Sequence, residues 1–339
     1  MDRKKLLAAY AVAHFWVDLS CAFLVFRTLR GAEDFALCLL LYNFCAFALQ
    51  MPLGLLADRF DRNGLTAATG CGLVALAYLS GVPLLTAVMA GAGNALFHLG
   101  GGIDTLNVSE RKAAALGVFV SPGALGLYIG TLWGKGASPA LWIGPVGLMV
   151  LAAGVLLLCY KTFGGLRSGN APLDLDAPAG YGPLLPLFLV VVLRSYMGMN
   201  QSFPWKGEGS WAVILTLALV LGKTAGGFLM DRVGGRKAAA SSLLVAAVLY
   251  LFSGVPVLGT LAVFLFNMTM PITLWAVAKV MPGAKGFTFG LLTFALFLGY
   301  LPSWMGLPGL LTEPWTYSAA AILSLLLLWR PLDGEVTGC

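Results

Sequence analysis

Hydrophobic and polar positions along the chain fall into a regular beat: apolar runs broken by short polar stretches. The runs lie near residues 6–26, 36–57, 65–82, 84–103, 113–133, 140–159, 184–202, 210–230, 238–255, 257–278, 286–306 and 314–330. Each has the roughly 17–25 residues that an α-helix, rising about 1.5 Å per residue, needs to cross a hydrocarbon core about 30 Å thick. No ten-residue segments alternate apolar and polar as the strands of an outer-membrane barrel do. The pattern predicts an all-α membrane protein with twelve transmembrane helices. Breaks such as Gly81-Val82-Pro83 and Gly254-Val255-Pro256 are very short, so consecutive helices should be antiparallel neighbours.

One polar stretch is long. Between Lys161 and Pro183 stand Gly164, Gly165, Gly169, Pro172, Asp174, Asp176, Pro178 and Gly180, a composition that reads as a flexible linker. It divides the chain into an N-terminal six-helix half (1–165), a linker (166–183) and a C-terminal six-helix half (184–339). The halves also repeat each other at one offset, 58 onto 231. Gly54 pairs with Gly227, Asp58-Arg59 with Asp231-Arg232, Ser80-Gly81-Val82-Pro83 with Ser253-Gly254-Val255-Pro256, Asn94 with Asn267, Gly117 with Gly290, Gly126 with Gly299 and Trp142 with Trp315. Abundant Gly and Leu give chance matches, but not a four-residue identity and an Asp-Arg pair in one register. An even number of spans per half makes the halves parallel, related by a pseudo-two-fold axis along the membrane normal, and two such halves around a central site is a transporter architecture.

Composition sharpens the class: 59% of the 339 residues are hydrophobic and 11% charged, with mean hydropathy +0.87, which excludes an ordinary soluble domain. The net charge of +6 does not point to nucleic acid. With both termini cytoplasmic, Arg3, Lys4, Lys5, Arg59, Arg62, Arg111, Lys112, Lys161, Arg167, Arg232, Arg236, Lys237, Lys279, Lys285 and Arg330 all fall on the inner side, against Arg27, Arg30, Lys135 and Lys206 outside. The first run follows Asp2-Arg3-Lys4-Lys5 like a signal peptide, yet it continues to Phe26, carries His14 and Asp18 and lacks a small-residue cleavage site, so it is expected to be a retained helix. Cys21, Cys38, Cys45, Cys71, Cys159 and Cys339 show no paired spacing of a disulfide or zinc framework.

Two loops carry motifs. Gly54-Leu55-Leu56-Ala57-Asp58-Arg59-Phe60-Asp61-Arg62 follows the second span, and Gly227-Phe228-Leu229-Met230-Asp231-Arg232-Val233-Gly234-Gly235-Arg236-Lys237 follows the eighth. A glycine there lets helices approach closely, an aspartate can meet a helix N-terminus, and the arginines can bridge to acids on the inner side. A plain tight turn with positive-inside residues is the alternative, weakened by the duplication. The pair resembles the G-x-L-x-D-R-x-G-R-K/R loop of the major facilitator superfamily, with Asp61 where the pattern has Gly and one extra Gly in the second copy. Gly54, Asp58, Arg59, Arg62, Gly227, Asp231, Arg232 and Arg236 are then the expected cytoplasmic gating residues, and the fold implied is the major facilitator fold. Within that superfamily the first half is similar to fosmidomycin-resistance-type exporters through His14 and Asp18, Phe97-His98, and Phe119, Gly123, Gly126 and Gly130. It departs at Leu99-Gly100-Gly101-Gly102, where those exporters carry Pro-Glu. Gly117, Ser121, Pro122 and Gly126 approximate the glycine-proline motif of antiporters.

Ionisable groups inside spans cost about 2.5–3.5 kcal/mol each on insertion scales and mark function by default. His14 and Asp18 share one face of the first helix, where a carboxylate beside an imidazole suits proton binding and release; a structural helix-to-helix hydrogen bond is the competing reading. Arg194 keeps its charge and needs either an anionic substrate or a carboxylate, for which Asp18 is nearest in depth. Asn94 and Asn267 are repeat mates that either bind the solute or tie helices together, and His98, one turn from Asn94, is a further substrate-side candidate. Lys223 can snorkel to the inner surface. With two histidines and no thiolate nearby in spacing, no metal site is expected. Met197, Met199, Phe266, Met268, Met270 and Trp275 are read as packing.

No phosphate-binding loop is present, and no H-E-x-x-H or G-x-S-x-G, so neither ATP hydrolysis nor intramembrane enzymology is indicated and no cofactor is expected. The sequence therefore predicts a secondary active transporter moving a small organic solute by alternating access, with proton-coupled efflux as first reading and proton- or sodium-coupled uptake as second. A non-transporting receptor or scaffold would have little reason to keep Asp18 and Arg194 in the membrane. The expected partners are the solute, a coupling proton and the bilayer, with no nucleic acid. The expected setting is a monomer in a bacterial cytoplasmic membrane.

Overall fold

A computed structural model describes residues 2–109, 112–136, 142–176 and 182–333. Of the residues singled out above, Arg111, Pro178, Gly180 and Cys339 lie outside them. The described residues are helical: α1 Asp2–Arg27, α2 Phe35–Asn43, α3 Gln50–Phe60, α4 Asn63–Ala77, α5 Pro83–Val108, α6 Ala114–Lys135, α7 Ile143–Phe163, α8 Leu184–Asn200, α9 Trp211–Val233, α10 Gly235–Leu251, α11 Pro256–Asn267, α12 Thr269–Val280, α13 Lys285–Trp304 and α14 Pro314–Trp329. Eight helical stretches are long and apolar enough to cross a membrane, and three shorter apolar helices, Asn63–Ala77, Leu184–Asn200 and Pro314–Trp329, also fall on predicted spans. Large apolar side chains such as Val150, Leu185, Val248 and Leu326 stand exposed on helix flanks, as lipid-facing positions do.

Two predicted spans are not single helices. The second is widened by one π-helical turn over Phe44–Ala48, between α2 and α3. The tenth is interrupted at Met268, between α11 and α12. Pro271 explains the interruption: it has no N–H for the carbonyl of Asn267, and its ring crowds that carbonyl. The fourth span, expected to end at residue 103, runs on to Val108 and carries Asp104 into the protein interior.

The chain groups into two compact units that do not follow the halves strictly. One comprises 1–110, 122–175 and 282–294; the other 111–121, 176–281 and 295–339. Each is built on the same neighbour scheme. In the first, α4 packs on α5 and α7, and α1 on α5 and α7; in the second, α10 packs on α11 and α14, and α8 on α14. Small residues let α6 lie against α1: a Cβ on Gly126 would fall 2.1 Å from the Phe15 carbonyl oxygen, and one on Gly130 would fall 2.2 Å from that of Leu19.

The linker is partly docked. Asp61 accepts the backbone N–H groups of Ser168, Gly169 and Asn170 at 3.1, 3.2 and 2.9 Å. The Asp174 N–H donates to the Gly283 carbonyl at 3.1 Å. Glycine and proline content suggests a free tether; the Asp61 carboxylate and the Gly283 carbonyl hold this part of it.

Candidate functional site

The residues expected to handle protons meet between α1 and α5. His14 and Asp18 stand one turn apart on α1, with His14 Nε2 3.3 Å from Asp18 Oδ2. From α5, Asn94 donates its amide N–H to Asp18 Oδ1 at 3.0 Å, and His98 Nε2 lies 3.8 Å from that oxygen and 2.8 Å from His14 Nε2. His14 and Asn94 are buried, whereas the Asp18 and His98 side chains keep 19% and 13% of their surface.

Hydrogen-bond partners assign the protons. His98 Nδ1 is 2.9 Å from the Asn94 carbonyl oxygen, which can only accept, so neutral His98 carries its proton on Nδ1 and turns the Nε2 lone pair toward His14. The donor atoms of His14, Asp18 and His98 lie within 4.8 Å of one another, a convergence that spacing along the chain does not reveal. These three side chains offer a donor set that could also take a metal ion. Gly123 on α6 closes the cluster: a Cβ there would fall 2.2 Å from His14 Nε2 and 2.5 Å from Asp18 Oδ2.

Arg194, on α8, is 8% exposed. Its guanidinium donates to Thr269 Oγ1 at 2.9 Å and to Thr273 Oγ1 at 3.3 Å, both on α12. The two hydroxyls in turn donate to backbone carbonyls, of Phe266 and of Thr269 and Met270, which leaves oxygen lone pairs for the arginine. Its Nε has no hydrogen-bond partner among the described residues. The cation is thus held by neutral groups. Asn267, the repeat mate of Asn94, donates to the Val263 carbonyl of its own helix at 2.8 Å, so equivalent amides do different work.

The duplicated loops make the same contact twice. Asp58 accepts the N–H groups of Gly286 and Phe287 at the start of α13, at 2.7 and 2.9 Å. Asp231 accepts those of Ala113 and Ala114 at the start of α6, at 2.7 and 3.1 Å. Donors and acceptors keep the repeat offset of the sequence. The glycine rule repeats as well: a Cβ on Gly54 would fall 2.1 Å from the Gly286 oxygen, and one on Gly227 2.6 Å from the Ala113 oxygen. Arg236 is held by Asp333 and stacks on Trp329, 4.2 Å from the ring centroid.

Sequence reading overlooked Asp104, Tyr10 and Asn63. Asp104 is fully buried and accepts hydrogen bonds from the Tyr10 hydroxyl at 2.6 Å and the Asn63 amide at 2.8 Å. The available signal was the one acid following the glycine run of the fourth span.

No protein-family model matches the chain, and no curated protein matches it in sequence. Solved structures match its fold. The human organic anion transporter MFSD10 (TETRAN) gives a TM-score of 0.71 at 16% identity, over 96% of this chain and 99% of that one. The E. coli fucose:proton symporter FucP gives 0.67 at 12%, over 98% and 99%. A bacterial homologue of the iron transporter ferroportin gives 0.67 at 14%, over 98% of each chain. At these identities the likeness is one of fold alone, a fold shared with membrane transporters, and the eight helices long and apolar enough to cross a membrane make the chain an integral membrane protein.

Proposed function

We propose that this chain is a twelve-span secondary active transporter that exports a small organic solute in exchange for protons, working as a monomer by alternating access. The observation that carries this reading is the cluster of His14, Asp18, His98 and Asn94: a carboxylate, an amide and two imidazoles that meet inside apolar helices. Such a group binds and releases a proton without leaving a naked charge in the membrane. His14 and Asp18 are the coupling pair. Arg194, with only neutral partners, meets negative charge on the solute, and Asn94, His98 and Asn267 supply polar contacts. Likeness in fold to an organic anion transporter and a proton symporter is in keeping with both roles.

The gating loops fit the same cycle. Asp58 and Asp231 hold helix N-termini through charge-assisted bonds that are made and released as the protein changes state, Gly54 and Gly227 allow the close approach, and Arg59, Arg62, Arg232 and Arg236 keep the loops on the cytoplasmic side with both termini. The first-half motifs resemble those of fosmidomycin-resistance-type exporters, which supports the reading of export across a bacterial cytoplasmic membrane.

The test is solute-induced pH change in proteoliposomes containing wild type or Asp18→Asn. Proton movement that requires both a solute and Asp18, with solute exchange surviving in the variant, is expected. Loss of exchange and coupling together would assign Asp18 to binding or folding. Dependence on sodium instead of pH would replace the proton as the coupling ion.

A further inference from the structure

The polar face of α1 continues past the cluster. One turn below His14, Tyr10 is buried, and its hydroxyl donates to Asp104 Oδ2 at 2.6 Å. The helices α1 and α5 therefore share three polar rungs: Asp18 with Asn94, His14 with His98, and Tyr10 with Asp104. Tyr10, His14 and Asp18 recur every fourth residue on one helix face, about 12 Å from end to end.

Asp104 is fully buried. Its other hydrogen bonds come from Asn63 on α4, at 2.8 Å, and from the Cys159 thiol on α7, at 3.4 Å. All of these donors are neutral, and among the described residues no basic side chain pairs with it. Tyr10 and Cys159 are the titratable groups that face it. Lys285 joins the same network three amides away: its ammonium donates to Asn107 at 2.9 Å, Asn107 to Asn170 at 2.7 Å, and Asn63 bridges Asn170 and Asp104. That chain of amides runs from the buried acid toward the loop of Asp61 and the docked linker. A buried carboxylate held by neutral donors can bind a proton without breaking an ion pair.

We propose that Asp104 is a second proton-binding carboxylate, exchanging protons with the His14–Asp18–His98 cluster through the Tyr10 hydroxyl. Tyr10, whose hydroxyl contacts Asp104 and Cys159, passes its proton to Asp104 while accepting one that an intervening water carries from His14 one turn above, so its oxygen stays neutral and only the two ends change charge; the reverse step returns the proton. Asp104 would then be the point where the proton meets the cytoplasmic side. This rests on the proton-coupled reading of the cluster, and the test keeps the two apart.

Infrared difference spectra of purified protein after a pH step read carboxyl protonation directly, with no solute and no transport. A carboxylic-acid band lost in Asp104→Asn and kept in Asp18→Asn is expected. Tyr10→Phe, which keeps the ring and its packing, should slow solute-driven proton movement in proteoliposomes by about 100-fold, the lower end of what a positioned proton donor supplies, while solute binding is unchanged. The proposal is overturned if no pH-sensitive band maps to Asp104, or if Tyr10→Phe and Asp104→Asn, both monodisperse, keep the wild-type proton flux and pH profile. A wild type that moves no protons with any solute, its Asp104 band intact, overturns the coupling reading and with it the relay, and leaves the assignment of a proton-binding Asp104.

Discussion

At the scale of single residues, Asp61 shows how a departure from a pattern can be an addition. It occupies a left-handed conformation (φ 52°), and its repeat mate Gly234 also has positive φ (83°). Both end a helix, α3 and α9, where glycine is the usual choice because other side chains are strained there by about 1–2 kcal/mol. Aspartate tolerates the conformation better than most, and here its carboxylate also receives three linker N–H groups. Asp61→Gly should lose those bonds but relieve strain, whereas Asp61→Ala should lose the bonds and keep the strain. The alanine variant is therefore expected to be less stable than the glycine variant by about 1–2 kcal/mol, read as a lower thermal unfolding midpoint in detergent. Equal midpoints would show that the turn relaxes. His14, Asp18, Asn94 and His98 were legible because a polar group in an apolar run is conspicuous. Asp104 was not, since Gly100-Gly101-Gly102 before it reads as the end of a span; donors from α1 and α4 make its burial tolerable, and those cannot be seen along one helix.

At the scale of elements, the interrupted tenth span decides what Arg194 touches. Pro271 ends α11 near Asn267 and starts α12 at Thr269, which puts Thr269 and Thr273 one turn apart facing the guanidinium. Helix boundaries were largely legible in the run lengths; this break was signalled only by Pro271, and its use as a cation cradle by nothing in the sequence. Within its own unit Asp18 is engaged by His14, His98 and Asn94. Thr269→Val keeps shape and removes the acceptor, leaving one more guanidinium N–H unmatched at a cost of about 1–3 kcal/mol. An anionic solute supplies that missing acceptor. Stabilisation of the protein by an anionic solute should then be larger in Thr269→Val than in wild type, measured as the ligand-induced shift in unfolding midpoint. A smaller shift would mean that Thr269 shapes the binding site itself.

At the scale of the whole molecule, duplication is the deepest feature that sequence carries into structure. The offset that pairs Asp58 with Asp231 also pairs their hydrogen-bond donors, Gly286 with Ala113 and Phe287 with Ala114. The loops were legible as equivalent, while the donors were not, because backbone N–H groups have no residue signature; only a glycine beside each, Gly54 and Gly227, hints that another backbone comes close. Each aspartate satisfies two N–H groups at a helix start that lack intrahelical acceptors, and bonds of this charged kind contribute about 1.5–3 kcal/mol. Asn in place of Asp keeps one acceptor oxygen and gives up the charge and the second. The contacts share no residue and lie in different compact units, so Asp58→Asn and Asp231→Asn should each lower stability, and their effects should add to within about 0.5 kcal/mol in the double variant. Thermal unfolding of the two single variants and the double variant checks this. A double variant no worse than either single one would mean that the two contacts stand or fall together, a coupling beyond what two separately capped helix ends produce. Additive losses of stability accompanied by a more than additive loss of transport would instead locate their interdependence in the cycle, where both contacts must be released and remade in turn.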